Sequence, residues 1–139
     1  MKQTILFADG DTELCDLYKP LLTMHGYEVE TSSNEVDCLA KLQQFPPAVI
    51  VLDLHLLRGG DGLLGWLRDE WVGQDVPVIV THTAGYSPQI LKLAVLASLC
   101  KPYTLARLLD SLRLAISLTP REPSAPMRRV QMSSELYIG

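Results

Sequence analysis

The residues with the most chemistry to offer are a few acids and one lysine, and each stands at the end of an apolar run. Asp9 follows TILFA, with Gly10 and Asp11 next to it. Asp53 follows AVIVL, and Lys101 follows SLC and precedes Pro102. Strand ends of this kind lie at the carboxyl edge of an open parallel sheet, where such sheets bind ligands. Two or three carboxylates brought together there repel one another unless a cation joins them. Oxygen-only ligands with room for water suit Mg²⁺. A carboxylate beside a divalent cation and an ammonium is also a nucleophile towards phosphorus, because the cations offset charge that builds on the transferring phosphoryl oxygens.

The hydrophobic pattern supplies the elements that would hold these residues. Strands are predicted at Thr4–Ala8, Tyr27–Thr31, Ala48–Leu52, Val76–Thr81 and Ser98–Cys100. Helical spacing fills the gaps. The first helix starts from a cap at Asp11 or Thr12, carries Leu14, Leu17, Tyr18, Leu21 and Leu22, and stops at Gly26. Pro20 should kink it by removing one backbone donor. Asn34 caps a second helix with Val36, Leu39, Ala40 and Leu42, which ends before Pro46 and Pro47. A Gly-rich loop, Arg58–Gly62, leads to a third helix with Leu63, Leu64, Trp66 and Leu67. Ser87 and Pro88 open a fourth, running to about Ala97, and Thr104 caps a last one with Leu105, Leu108, Leu109, Leu112 and Ile116. Strands alternating with helices predict an α/β fold with a parallel sheet covered on both faces.

Composition bounds the rest. The chain has 139 residues, 47% of them hydrophobic and 20% charged, which suits one domain with its own core. Twelve Lys and Arg against sixteen Asp and Glu give a net charge of −4, with no basic run to track a phosphate backbone, so nucleic acid is not an expected partner. Cys15, Cys38 and Cys100 are scattered and lack CxxC spacing, which argues against disulfides and zinc and for small buried apolar residues. No signal peptide and no apolar run of about 18 residues is present, so no membrane partner and a cytoplasmic location are expected. Residues 1–118 read as the domain; 119–139, rich in Pro, read as a tail or linker.

The motifs ILFADGD, AVIVLDLHL, GGDGL, VPVIV and CKPYTLARLLDSL, in this order, resemble the receiver domain of two-component response regulators over about residues 3–118. That resemblance implies a flavodoxin-like (CheY-like) sheet of order 2-1-3-4-5 flanked by five helices. It also implies that Asp53 accepts a phosphoryl group from a histidine kinase or phosphotransfer protein. Mg²⁺ would be held, weakly, by Asp9, Asp53 and the backbone carbonyl of His55, with Asp11 a further candidate ligand. Lys101 would pair with the phosphoryl group, and a group at the end of strand four (Thr81, His82 or Thr83) would act as the switch. The expected class is a signalling module rather than an enzyme. Its output partner would dock on the face made by the fourth helix, strand five and the last helix, with Tyr103 as an exposed contact; a homodimer is another option.

Some positions depart from the family pattern. Gly10 stands where the second residue of an acidic pair is usual, Leu57 where a Pro is usual, and Ser98 where the family has Tyr or Phe. Counted without a gap from Pro77, the switch position falls on His82; Thr83–Ala84 fits the usual Thr-Ala pair only with an insertion. These departures define an alternative, a pseudo-receiver that binds protein partners without phosphorylation. A third reading takes FADGDT as the motif of a haloacid-dehalogenase-like phosphatase, with Asp9 as nucleophile. Glu13 at a key position, the lack of a later acidic pair and the short chain all count against it.

Overall fold

A computed structural model of the chain describes residues 2–59, 62–69, 76–85 and 95–118. The apolar runs form five strands: β1 Thr4–Ala8, β2 Glu28–Ser32, β3 Val49–Asp53, β4 Val78–His82 and β5 Ala97–Cys100. Every neighbouring pair is parallel, and the order across the sheet is β2-β1-β3-β4-β5. All of β3 is buried, as a central strand covered on both faces must be. Four α-helices are described: α1 Thr12–Met24, α2 Glu35–Gln44, α3 Gly62–Asp69 and α4 Leu105–Leu118.

Side-chain alternation along the strands sorts the core into two layers. Leu6, Ala8, Ile50, Leu52, Val78 and Val80 face Cys38 and Leu42 of α2 and Leu63 and Leu67 of α3. Ile5, Phe7, Val49, Val51, Ile79 and Leu99 face Tyr18 and Leu22 of α1 and Leu108, Leu109 and Leu112 of α4. The helices begin where short polar side chains take up unpaired amides. Asp11 Oδ1 accepts from the N–H groups of Glu13 and Leu14 at 3.0 and 3.2 Å. Asn34 Oδ1 accepts from Asp37 N–H at 2.8 Å, and Thr104 Oγ1 from Arg107 N–H at 3.1 Å. α1 runs on through Pro20 and ends at His25, after which Gly26 takes φ +95°, the left-handed turn that glycine adopts without a Cβ penalty.

Several expectations need correction. Val36 is 81% exposed, so α2 is anchored by Cys38 and Leu42 instead. Cys15 and Cys38 are buried, but Cys100 is exposed on β5. A 3-10 helix, Leu54–Gly59, starts directly after β3 and buries Leu54 and Leu56 where only a loop was expected. Of the fourth predicted helix, residues 87–94 lie outside the described residues, while Ala97 already belongs to β5. The tail, 119–139, also lies outside them. Among the described residues, no helix is long and apolar enough to cross a membrane.

Candidate functional site

Strand parity decides which side chains meet. Phe7 and Val51 point into the α1/α4 layer, so Asp9 and Asp53, each two residues on, point the same way; Leu99 does the same for Lys101. The carboxylates are nearly sealed, with Asp9 2% and Asp53 4% exposed. Lys101 Nζ donates to Asp9 Oδ2 at 2.8 Å and stands 3.5 Å from Asp53 Oδ2. Backbone amides hold the other oxygens: Asp11 N–H donates to Asp9 Oδ1 at 2.9 Å, and His55 N–H to Asp53 Oδ1 at 3.3 Å. Lys101 N–H reaches the His82 carbonyl at 2.7 Å, which fixes the end of β5 against β4, and the Lys101–Pro102 peptide is cis.

Two buried carboxylates thus face one ammonium. Burial, and after it the charge of Asp9, pushes the Asp53 pKa up; Lys101 and the His55 amide oppose this without reversing it. For Lys101, burial alone would lower the pKa, but the hydrogen bond to Asp9 and the charges of Asp53 and Asp9 outweigh it and raise it. The surplus negative charge opens onto a cavity of about 640 Å³, lined among others by Asp9, Gly10, Asp11, Asp53, His55 and Lys101.

The remaining expected residues fall into place around this core. Asp11 uses Oδ1 to cap α1, so its first role is structural. His55 is exposed, and its Nε2 lies 3.1 Å from Thr83 Oγ1, tying the segment after β3 to that after β4. His82 Nδ1 lies 3.1 Å from the Thr83 carbonyl. Thr81 is paired across the sheet with Asp53 and is 1% exposed. Tyr103 is not an exposed contact: it is half-buried, its ring centroid 5.7 Å from that of Tyr18, and its hydroxyl is buried. Burial, then the charges of Tyr18, Asp9 and Asp53, push its pKa far up. Sequence reasoning missed Glu35, which lines the same cavity with a buried Oε2 that has no hydrogen-bond partner. Its signal was its place just after the Asn34 cap, at the carboxyl end of β2.

The donor set fits a hard divalent cation. Asp9 and Asp53 offer carboxylate oxygens, His55 lines the same cavity, and the cavity leaves room for water. A Cβ on Gly10 would meet only Leu56 Cδ1 and the Ser33 carbonyl, both at 3.9 Å, so the place of a further carboxylate is open. Among the described residues, no three His, Cys, Asp or Glu side chains gather into a ready-made metal site.

Residues 5–113 match the family described as response regulator receiver domain. The chain belongs to the response regulator receiver family. The receiver is 29% identical to the response regulator MprA of Mycobacterium tuberculosis over 136 residues, 96% of this chain and 59% of that protein. It is 30% identical over 114 residues to the transcriptional regulatory protein KdpE of the same species, 81% of this chain and 50% of that one. It therefore spans about half the length of these curated relatives. Among solved structures, a CheY-like response regulator receiver domain protein from Methanospirillum hungatei superposes with a TM-score of 0.72 at 24% identity, covering 84% of this chain and 95% of that one. A receiver domain protein from Clostridium thermocellum gives 0.71 at 22% identity, covering 83% and 94%. These likenesses establish the CheY-like fold of the receiver.

Proposed function

We propose that this receiver accepts a phosphoryl group on Asp53 from a histidine kinase or a phosphotransfer protein and acts as a signalling module, not as an enzyme with a substrate of its own. The observation that carries the reading is the Asp53 carboxylate, buried at the end of β3 and 3.5 Å from the Lys101 ammonium at the mouth of the cavity. In the transfer, an Asp53 oxygen forms a bond to phosphorus as the bond from phosphorus to the donor's imidazole nitrogen breaks. The departing imidazole keeps that electron pair and takes up a proton. Lys101, whose ammonium lies within 2.8 Å of Asp9 and 3.5 Å of Asp53, would pair with the phosphoryl oxygens. Asp9, Asp53 and the His55 carbonyl would hold Mg²⁺, which when bound offsets the charge on the phosphoryl group. Output would pass to a protein partner through the face that includes β5 and α4.

The test is to treat wild type and Asp53→Asn with acetyl phosphate and Mg²⁺ and weigh both proteins intact. Wild type should gain one phosphoryl mass and the variant none; a phosphoryl mass on the variant would move the acceptor elsewhere. A second reading, a receiver-like module that binds its partner without phosphorylation, is favoured by Gly10 in the acidic pair and by Ser98, exposed on β5. No gain of mass in either protein, with partner binding retained, would select it.

A further inference from the structure

The first turn of α2 is inside out. Val36 stands in solvent, while the acid before it, Glu35, has Oε2 sealed from solvent and without a hydrogen-bond partner. Sealing a carboxylate oxygen and exposing a valine is the costly arrangement of the two. The helix dipole favours an acid in a first turn, but it gives no reason to seal one. Asp37, in the same turn, shows the ordinary case: it accepts from Ser32 Oγ at 2.8 Å and pairs with Lys41 at 3.2 Å. Glu35 instead lines the cavity of Asp9 and Asp53, where the Lys101 ammonium is already shared between two carboxylates. The segment leading into Glu35 borders the place that Gly10 leaves open, since a Cβ on Gly10 would lie 3.9 Å from the Ser33 carbonyl.

We propose that Glu35 is a positioning residue for the divalent cation of this site, holding one of its waters and supplying from α2 negative charge that Gly10 does not supply after β1. The inference rests on the reading of Asp9 and Asp53 as cation ligands. Among the described residues no three His, Cys, Asp or Glu side chains form a direct ligand set, so the contact runs through water. Mg²⁺ keeps several of its waters and suits such a contact. The cation's charge offsets the cost of holding a carboxylate oxygen out of solvent without a donor. An outer carboxylate also leaves the place beside Gly10 open for a direct ligand. Asp11 is the less suited acid, because its Oδ1 caps α1.

The experiment titrates Mg²⁺ into wild type, Glu35→Gln and Asp9→Asn by isothermal titration or amide shifts, and records each melting midpoint without metal. A carboxylate acting through one water on a doubly charged ion, screened by salt, is worth about three- to tenfold in affinity, so Glu35→Gln should lose that much. Gln keeps the shape and removes the charge, so the metal-free midpoint should stay within about 3 °C of wild type. Asp9→Asn, which removes a ligand, should lose more. A loss below about threefold in Glu35→Gln, with Asp9→Asn weakened, would overturn this inference alone. So would a loss as large as that of Asp9→Asn, which would make Glu35 a direct ligand, or a midpoint that falls further, which would make its role structural. If Asp9→Asn binds like wild type, or wild type binds no Mg²⁺, the cation reading fails first, and this inference falls with it.

Discussion

Gly10→Asp should tighten the binding of Mg²⁺ by about five- to 140-fold. The substitution is sterically free, because the new Cβ would lie 3.9 Å from its nearest neighbours, Leu56 Cδ1 and the Ser33 carbonyl. Position 10 is exposed at the rim of the cavity and next to Asp9, so an added carboxylate can come within about 4 Å of a cation held there. For a doubly charged ion at that distance, Coulomb's law gives about 2–4 kcal/mol as the effective dielectric goes from about 80 to about 40. Desolvation of the new carboxylate and its repulsion from Asp9 and Asp53 reduce this to about 1–3 kcal/mol. At about 1.4 kcal/mol per factor of ten, that is the stated range. The same repulsion should make the metal-free variant less stable than wild type, so its melting midpoint should depend more steeply on Mg²⁺. Isothermal titration, or amide shifts followed against Mg²⁺, would measure the affinity, with Gly10→Asn as a control of equal size and no charge. If the Asp variant titrates like wild type or like the Asn control, the reasoning is refuted. Either Glu35 or Asp11 already fills the role, or the cation sits elsewhere.

The other predictions use the same cluster. Because the Asp53 pKa is raised on folding, the folded protein holds that proton more tightly than the unfolded chain. Stability is then lost as pH climbs from the ordinary carboxylate value, about 3.9, through the raised one. Asp53→Asn should therefore be more stable than wild type at pH 7 in denaturant melts, with the difference closing in acid; a less stable variant at pH 7 would mean that the attraction of Lys101 outweighs burial and Asp9. Lys101→Met leaves two buried carboxylates without their ammonium. It should cost about 2 kcal/mol, below the usual figure for a broken buried pair because the lysine side chain is 22% exposed, and Mg²⁺ should restore part of the loss. Asp11→Ala should cost about 1 kcal/mol as a lost helix cap while leaving Mg²⁺ affinity within about twofold; a larger drop in affinity would make Asp11 a ligand after all.

Much of the site was legible because it depends on patterns of short range. Asp9, Asp53 and Lys101 each end an apolar run, and a run long enough to cross a buried sheet brings its last residue to the sheet's edge. The caps at Asp11, Asn34 and Thr104 follow from side chains that reach only two or three residues along the chain. What sequence could not give was the environment of side chains brought together from distant segments. Val36 fits the helical stripe of α2, yet it lies at the rim of the cavity and stays in solvent. Tyr103 reads as a surface aromatic after Pro102, but it packs against Tyr18, far earlier in the chain, and its hydroxyl is buried. Thr81, His82 and Thr83 cannot be told apart by spacing, because one residue of slip in a strand exchanges its two faces. The pairing of β3 with β4 sets Thr81 beside Asp53, while Thr83 Oγ1 lies 3.1 Å from His55 Nε2. Charge balance is tertiary for the same reason: composition counts the acids, but only the fold puts two of them out of water beside a single lysine, and their mutual distance and burial set the pKa of Asp53.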